Sequence, residues 1–139
     1  MLKKVYYKLP SFFQNYLDKA VSKVSNNLIE NFIYSDIGKN FDLNLNDKKK
    51  IIKRIKTSLA KMESATNLET HLELGKKILS LNKNDKGFIV ECGAFKGASS
   101  ISLSIFSQIV DRKLIIYDSF EGLPEDNDQI EGRDYPHLK

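Results

Sequence analysis

Two short apolar runs, joined through a glycine turn and a helical stretch, constrain the fold of this chain more than any other feature. The first run, Phe88-Ile89-Val90, opens "GFIVECGAFKGASS", which spans Gly87 to Ser100; the second is Leu114-Ile115-Ile116-Tyr117. Each is short and largely β-branched, and glycines bound the first closely, so both are predicted to be strands. From Gly97 onward Ile101, Ile105 and Ile109 recur at helical spacing, with Phe106 and Val110 beside them, and Asp111-Arg112 makes a short link. Strand, helix and strand in this order predict a βαβ unit with parallel strands and a right-handed crossover. Both runs are apolar throughout, which predicts strands covered on both faces, as in α/β sheets.

Ligands of open parallel sheets bind beyond the carboxyl ends of the strands. Glu91, Gly93 and Gly97 fall at the end of the first run, and Asp118 and Ser119 at the end of the second. Gly93 permits a tight turn and close approach of a ligand, and Gly97 lets the chain enter the next helix beside it. The helix start offers free N–H groups and the positive end of its dipole, with Ser99 and Ser100 adding hydroxyls, which suits a carboxylate or phosphate. Asp118 lies 25 residues beyond Gly93, close to the ~20-residue offset of a ribose-binding carboxylate. The dinucleotide fingerprint has glycine where this chain has Glu91. A carboxylate there repels a pyrophosphate and favours a ligand with a positive charge. S-adenosylmethionine has such a charge, together with a carboxylate and a ribose. Structural roles stay open beside these: Gly93 and Gly97 in packing, Glu91 bonded to backbone N–H groups, Asp118 capping the next turn. Cys92 reads as a small buried residue, and neither His71 nor His137 has partners that suggest a site.

The 86 residues before the first run read as helices. Ser11 and Gln14 form a capping-box pattern, and Phe13, Leu17, Ala20, Val24, Leu28 and Phe32 follow at helical spacing, with Gly38 as a break. A second helix is predicted from about Asn46 past Met62, with Ile51, Ile55, Leu59 and Met62 inward. A third begins at Thr66, with Leu68, Leu72, Ile78 and Leu79 buried. These stripes are of ordinary core width, so the basic faces are assigned to solvent and the apolar faces to the core; no membrane partner is expected. The organisation is therefore a helical region over 1–86 and a ligand-binding α/β domain beginning at 87 and running to 139.

Charge and composition exclude several classes. Residues 1–86 carry 17 Lys+Arg against 9 Asp+Glu, and residues 87–139 carry 5 against 9. The positive charge is almost all lysine, without the arginines typical of base recognition, so nucleic acid is not an expected partner. With 41% hydrophobic and 29% charged residues the composition is that of a soluble globular protein. No apolar run approaches the ~18 residues of a membrane helix. One cysteine forms no internal disulfide, and no secretory leader is evident, which predicts a reducing, cytoplasmic setting. The acidic stretch Glu125, Asp126, Asp128, Glu131 and Asp134 lacks calcium-loop spacing and reads as a solvated loop.

Glu91, Cys92, Gly93, Gly97 and Ser99, followed by "DSFEGLP" from Asp118 to Pro124, together resemble the TylF-type, or macrocin O-methyltransferase, family of S-adenosylmethionine-dependent methyltransferases. The resemblance covers roughly residues 87–125. It implies a Rossmann-like class I methyltransferase fold, of which only the first βαβ unit is legible here. It also implies S-adenosylmethionine across the two strand ends, with Glu91, Gly93 and Ser99 near the methionyl part and Asp118 near the ribose. The implied reaction is methylation of a hydroxyl on a sugar, a sugar-containing natural product or a polysaccharide. Magnesium is implied as well, with ligands and the catalytic base beyond residue 139, so no catalytic residue is assigned. Because a whole domain of this type needs more than two strands, the chain is expected to be an N-terminal piece, inactive alone, of a protein that is a candidate homo-oligomer. Two other readings stand beside this one: a non-enzymatic helical interaction module and a nucleotide-binding oxidoreductase.

Overall fold

The computed structural model describes residues 9–121. Among these residues four helices and two strands follow in the order α1 (Ser11–Tyr34), a short 3-10 turn (Lys39–Phe41), α2 (Leu45–Leu59), α3 (Leu68–Leu79), β1 (Ile89–Cys92), α4 (Ala98–Ile109) and β2 (Leu114–Tyr117). The strands are parallel and in register, Ile89 beside Leu114 and Cys92 beside Tyr117. The architecture is a helix-rich α/β arrangement in which a two-stranded parallel sheet carries helices on one side. Gly122 to Pro124, the acidic stretch after them and His137 lie outside the described residues.

The helix starts lie one or two residues away from the positions the sequence pattern gives. Asn44, not Asn46, caps α2: its Oδ1 accepts from the N–H groups of Asn46 at 2.9 Å and Asp47 at 3.1 Å, and Asp47 reaches back to the Asn44 N–H at 3.3 Å. This reciprocal box satisfies N–H groups that the first turn leaves without helical partners. Asn67, not Thr66, caps α3, accepting from the Thr70 N–H at 3.1 Å. At α1 the predicted Ser11–Gln14 box does not form. Pro10 holds the cap position, Ser11 is already helical, and the Gln14 amide donates instead to the Leu9 carbonyl at 2.7 Å. Met62 falls beyond α2, which ends at Leu59.

One hydrophobic core spans the boundary at residue 86. It gathers Phe32 from α1, Ile51, Ile52 and Ile55 from α2, Leu72, Ile78 and Leu79 from α3, and Leu103, Ile105 and Phe106 from α4. Burial of each such side chain contributes on the order of 1.5–3 kcal/mol. The Phe32 and Phe106 rings meet edge to face, centroids 6.5 Å apart. Phe106 also lies against Gly75 of α3, where a Cβ would stand 2.0 Å from its Cζ. The glycine costs roughly 1 kcal/mol of helix propensity, and in exchange α3 and α4 approach within the thickness of one ring. Lys48 is buried in the same region. Its Nζ donates to the Ser35 carbonyl at 2.5 Å, beside the carboxyl end of α1, where a cation is favoured; burial lowers its pKa.

Two expectations fail here: among the described residues, nothing packs on the second face of the sheet or on the first half of α1. The strands are covered on one face only. Ile89 and Leu114 pack on the core, whereas Val90 is 54% and Tyr117 61% exposed, and Cys92 is exposed rather than buried. The apolar stripe of α1 is likewise core-facing only toward its end. Phe32 is buried, but Phe13, Leu17, Ala20 and Val24 are exposed.

Candidate functional site at the strand ends

The chain leaves β1 through Gly93, whose N–H continues the ladder to the Tyr117 carbonyl at 2.9 Å. Gly93 and Gly97 have φ of 83° and 84°, the left-handed region that costs other residues roughly 1–2 kcal/mol. Between them the Gly97 N–H closes a turn onto the Ala94 carbonyl at 2.8 Å, and α4 begins at Ala98. A Cβ added at Gly93 meets nothing within 4 Å. The space above this turn is open, so the glycine there is required by backbone conformation and not by packing.

Asp118 ties the two strand ends together. Its Oδ2 accepts from the Ala94 N–H at 2.5 Å and the Phe95 N–H at 3.1 Å, and its Oδ1 from the Phe120 N–H at 2.7 Å. These bonds, Phe120 first and Ala94 next, hold its carboxyl below the ordinary carboxylate range. The carboxylate is thus ionised at neutral pH and uses three of its roughly four acceptor positions. The remaining one belongs to Oδ1. Ser119 follows, its Oγ accepting from the Glu121 N–H at 3.3 Å.

Glu91 is placed differently. Side chains alternate along a strand, and Glu91 shares the helix-covered face with Ile89. It is buried, and its Oε2 accepts from the Ser100 hydroxyl at 2.5 Å. The contact anchors the first turn of α4 to the strand beneath. Ser99, in the same turn, is half-buried. Glu91 therefore does not face the open space above Gly93, and its charge alone does not select a sulfonium over a pyrophosphate. What Glu91 still removes is the first glycine of the dinucleotide fingerprint.

His71 is the residue that sequence reasoning missed. It is fully buried, with Nδ1 2.8 Å from the Ser102 hydroxyl of α4 and Nε2 2.8 Å from the Thr66 hydroxyl of the α2–α3 loop. Burial lowers its pKa, and the charge of Glu91 partly opposes that shift. Position 71 shares a face with Leu68, Leu72, Gly75 and Ile78, so helical periodicity carried the signal for its burial, though not for its partners. Lys96, in the glycine turn, pairs with Glu63 of the α2–α3 loop and lies over the Phe95 ring.

The site thus brings together Gly93, Gly97, the first turn of α4 with Ser99, and the Asp118–Ser119 corner, and it sets Glu91 behind them as a brace. A cleft of about 390 Å³ lies at the other end of the sheet, lined by Phe41, Lys86, Gly87 and Arg112; it shares no residue with this site. Among the described residues no three His, Cys, Asp or Glu side chains converge as a metal set. Comparison with protein-family models, curated proteins and solved structures finds no match to this chain.

Proposed function

We propose that the strand-end site binds S-adenosylmethionine and that the chain is the cofactor-holding part of an O-methyltransferase of Rossmann-like class I type. The observation that carries this reading is the Asp118 carboxylate, which gathers the N–H groups of the glycine turn while keeping one acceptor position on Oδ1 for a ribose hydroxyl. The N–H groups of the first turn of α4, with Ser99, suit the methionyl carboxylate. The open space at Gly93 admits a ligand against the backbone. Ser119 lies beside the ribose position. When bound, the cofactor supplies an electrophilic methyl group on its sulfonium. The residues here hold and orient it, and the base that deprotonates the acceptor hydroxyl is not assigned to any of them.

The acceptor class, a sugar hydroxyl, rests on the TylF-type resemblance of residues 87–125, as does magnesium. Glu91 acts in this reading by fixing α4 through Ser100 and not by touching the ligand. Equilibrium dialysis suits the test, because the chain has no tryptophan to report binding by fluorescence. Saturable uptake of labelled S-adenosylmethionine, displaced by S-adenosylhomocysteine and lost in Asp118→Ala, is the expected result. Uptake of NADH in preference, or of neither ligand, contradicts the proposal.

A further inference from the structure

The first half of α1 stands clear of the rest of the protein. From Ser11 to Val24 every residue except Gln14 is exposed, and contact with the core begins only at Ile29 and Phe32. At 1.5 Å per residue this is an arm roughly 20 Å long. Its apolar residues are not scattered. At 100° per residue Phe12, Phe13, Tyr16, Leu17, Ala20, Val21 and Val24 fall within one half of the helix circumference. Phe12 is 73% and Val21 67% exposed. A helix of this length is marginal in water without a surface to cover its apolar face.

The charges beside that face choose the occupant. Within residues 1–27 the sequence has Lys3, Lys4, Lys8, Lys19 and Lys23 against Asp18 as the sole acid. On the helix, Lys19 falls just outside the Phe12 edge of the apolar half and Lys23 between Phe12 and Tyr16. A second copy of the arm would bring the same lysine excess against itself, and an acidic surface removes that repulsion. Aromatic side chains beside lysines, with an apolar face half a turn wide, are the chemistry of a helix lying in a bilayer interface.

We propose that the α1 arm docks on an anionic lipid surface, the rings of Phe12, Phe13 and Tyr16 entering the headgroup–acyl boundary and Lys19 and Lys23 meeting lipid phosphates. Sequence pattern alone assigns this stripe to the core and so predicts no membrane partner; the exposure of the stripe removes that ground. No helix among the described residues is long and apolar enough to cross a membrane, and the proposed association is peripheral. It is independent of what binds at the strand ends.

The test is sedimentation of the full chain with vesicles of phosphatidylcholine alone and of phosphatidylcholine with phosphatidylglycerol at roughly two to one. Partition onto the anionic vesicles is expected to weaken with salt and to fall at least about ten-fold in either of two double variants. One is Phe12→Ser with Phe13→Ser; the other, Lys19→Ala with Lys23→Ala, removes charge and keeps every apolar side chain. All four side chains are exposed, so the thermal midpoint is expected to hold in both. Absence of partition, equal partition onto neutral and anionic vesicles, or a dimer in light scattering that the phenylalanine variant dissociates in place of lipid binding overturns the proposal.

Discussion

The two faces of the small sheet differ in nearly every physical respect, although the two strands that make them are equally apolar. On the covered face Ile89 and Leu114 meet the helices, Glu91 is bonded to Ser100, and behind it His71 spans Thr66 and Ser102. Among the described residues no buried side-chain nitrogen or oxygen lacks a partner. On the open face Val90, Cys92 and Tyr117 are exposed. The contrast extends to the two carboxylates. Glu91 serves the interior, whereas Asp118, past the end of β2, serves the turn where a ligand has room. On the proposed reading, the fold puts its rigidity on one side of the sheet and its binding chemistry at the rim.

The sharpest way to break the contrast is at the helix contact above the covered face. Gly75→Ala places a methyl group against Phe106, and the expected loss is roughly 2 kcal/mol or more of unfolding free energy by chemical denaturation. Adding Phe106→Leu should recover part of it, because the two positions share one volume. Glu91→Ala should come next, at about 1–3 kcal/mol, since it leaves the Ser100 hydroxyl facing an empty site; Glu91→Gln, which keeps an acceptor, should cost less.

A pH titration of stability isolates His71. Its folded pKa is lowered, chiefly by burial, so the unfolded chain takes up the proton first. Stability is therefore complete above the unfolded value of about 6.5 and declines as pH falls below it. The thermal midpoint should drop between neutral pH and about pH 5, and His71→Gln should flatten that limb of the profile. The groups that bear on the imidazole include Thr66 of the loop, Ser102 of α4 and the Glu91 carboxylate of β1. The smallest effect belongs to the open face, where Val90→Ser should leave the unfolding free energy within about 0.5 kcal/mol of unchanged. A large loss there would mean that this face is covered in solution.

Much of this arrangement is legible in the sequence, and what is not has identifiable causes. The βαβ unit shows because the hydrophobic period switches from that of a strand to that of a helix and back. The convergence of Gly93, Gly97 and Asp118 follows from parallel strands alone. Coverage of the faces does not show, since a wholly apolar strand fits one covered face as well as two. The direction of Glu91 was available from strand alternation, because it lies two residues from Ile89 and shares its side. The role of His71 was not, because its partner Ser102 lies 31 residues away and becomes a neighbour only when α3 and α4 pack through Gly75. Helix starts shift by a residue or two because Asn44 and Asn67 compete with nearby residues for the cap, and geometry decides between them.

The most direct test of the strand-end assignment is an amide nuclear magnetic resonance titration of the uniformly ¹⁵N-labelled chain with S-adenosylmethionine. Shifts confined to Gly93 through Ser100 and to Asp118 through Phe120, saturating with ligand and absent with NADH, are the predicted result. Shifts that instead cluster at Lys86, Gly87 and Arg112, or no shifts at millimolar ligand, would contradict it.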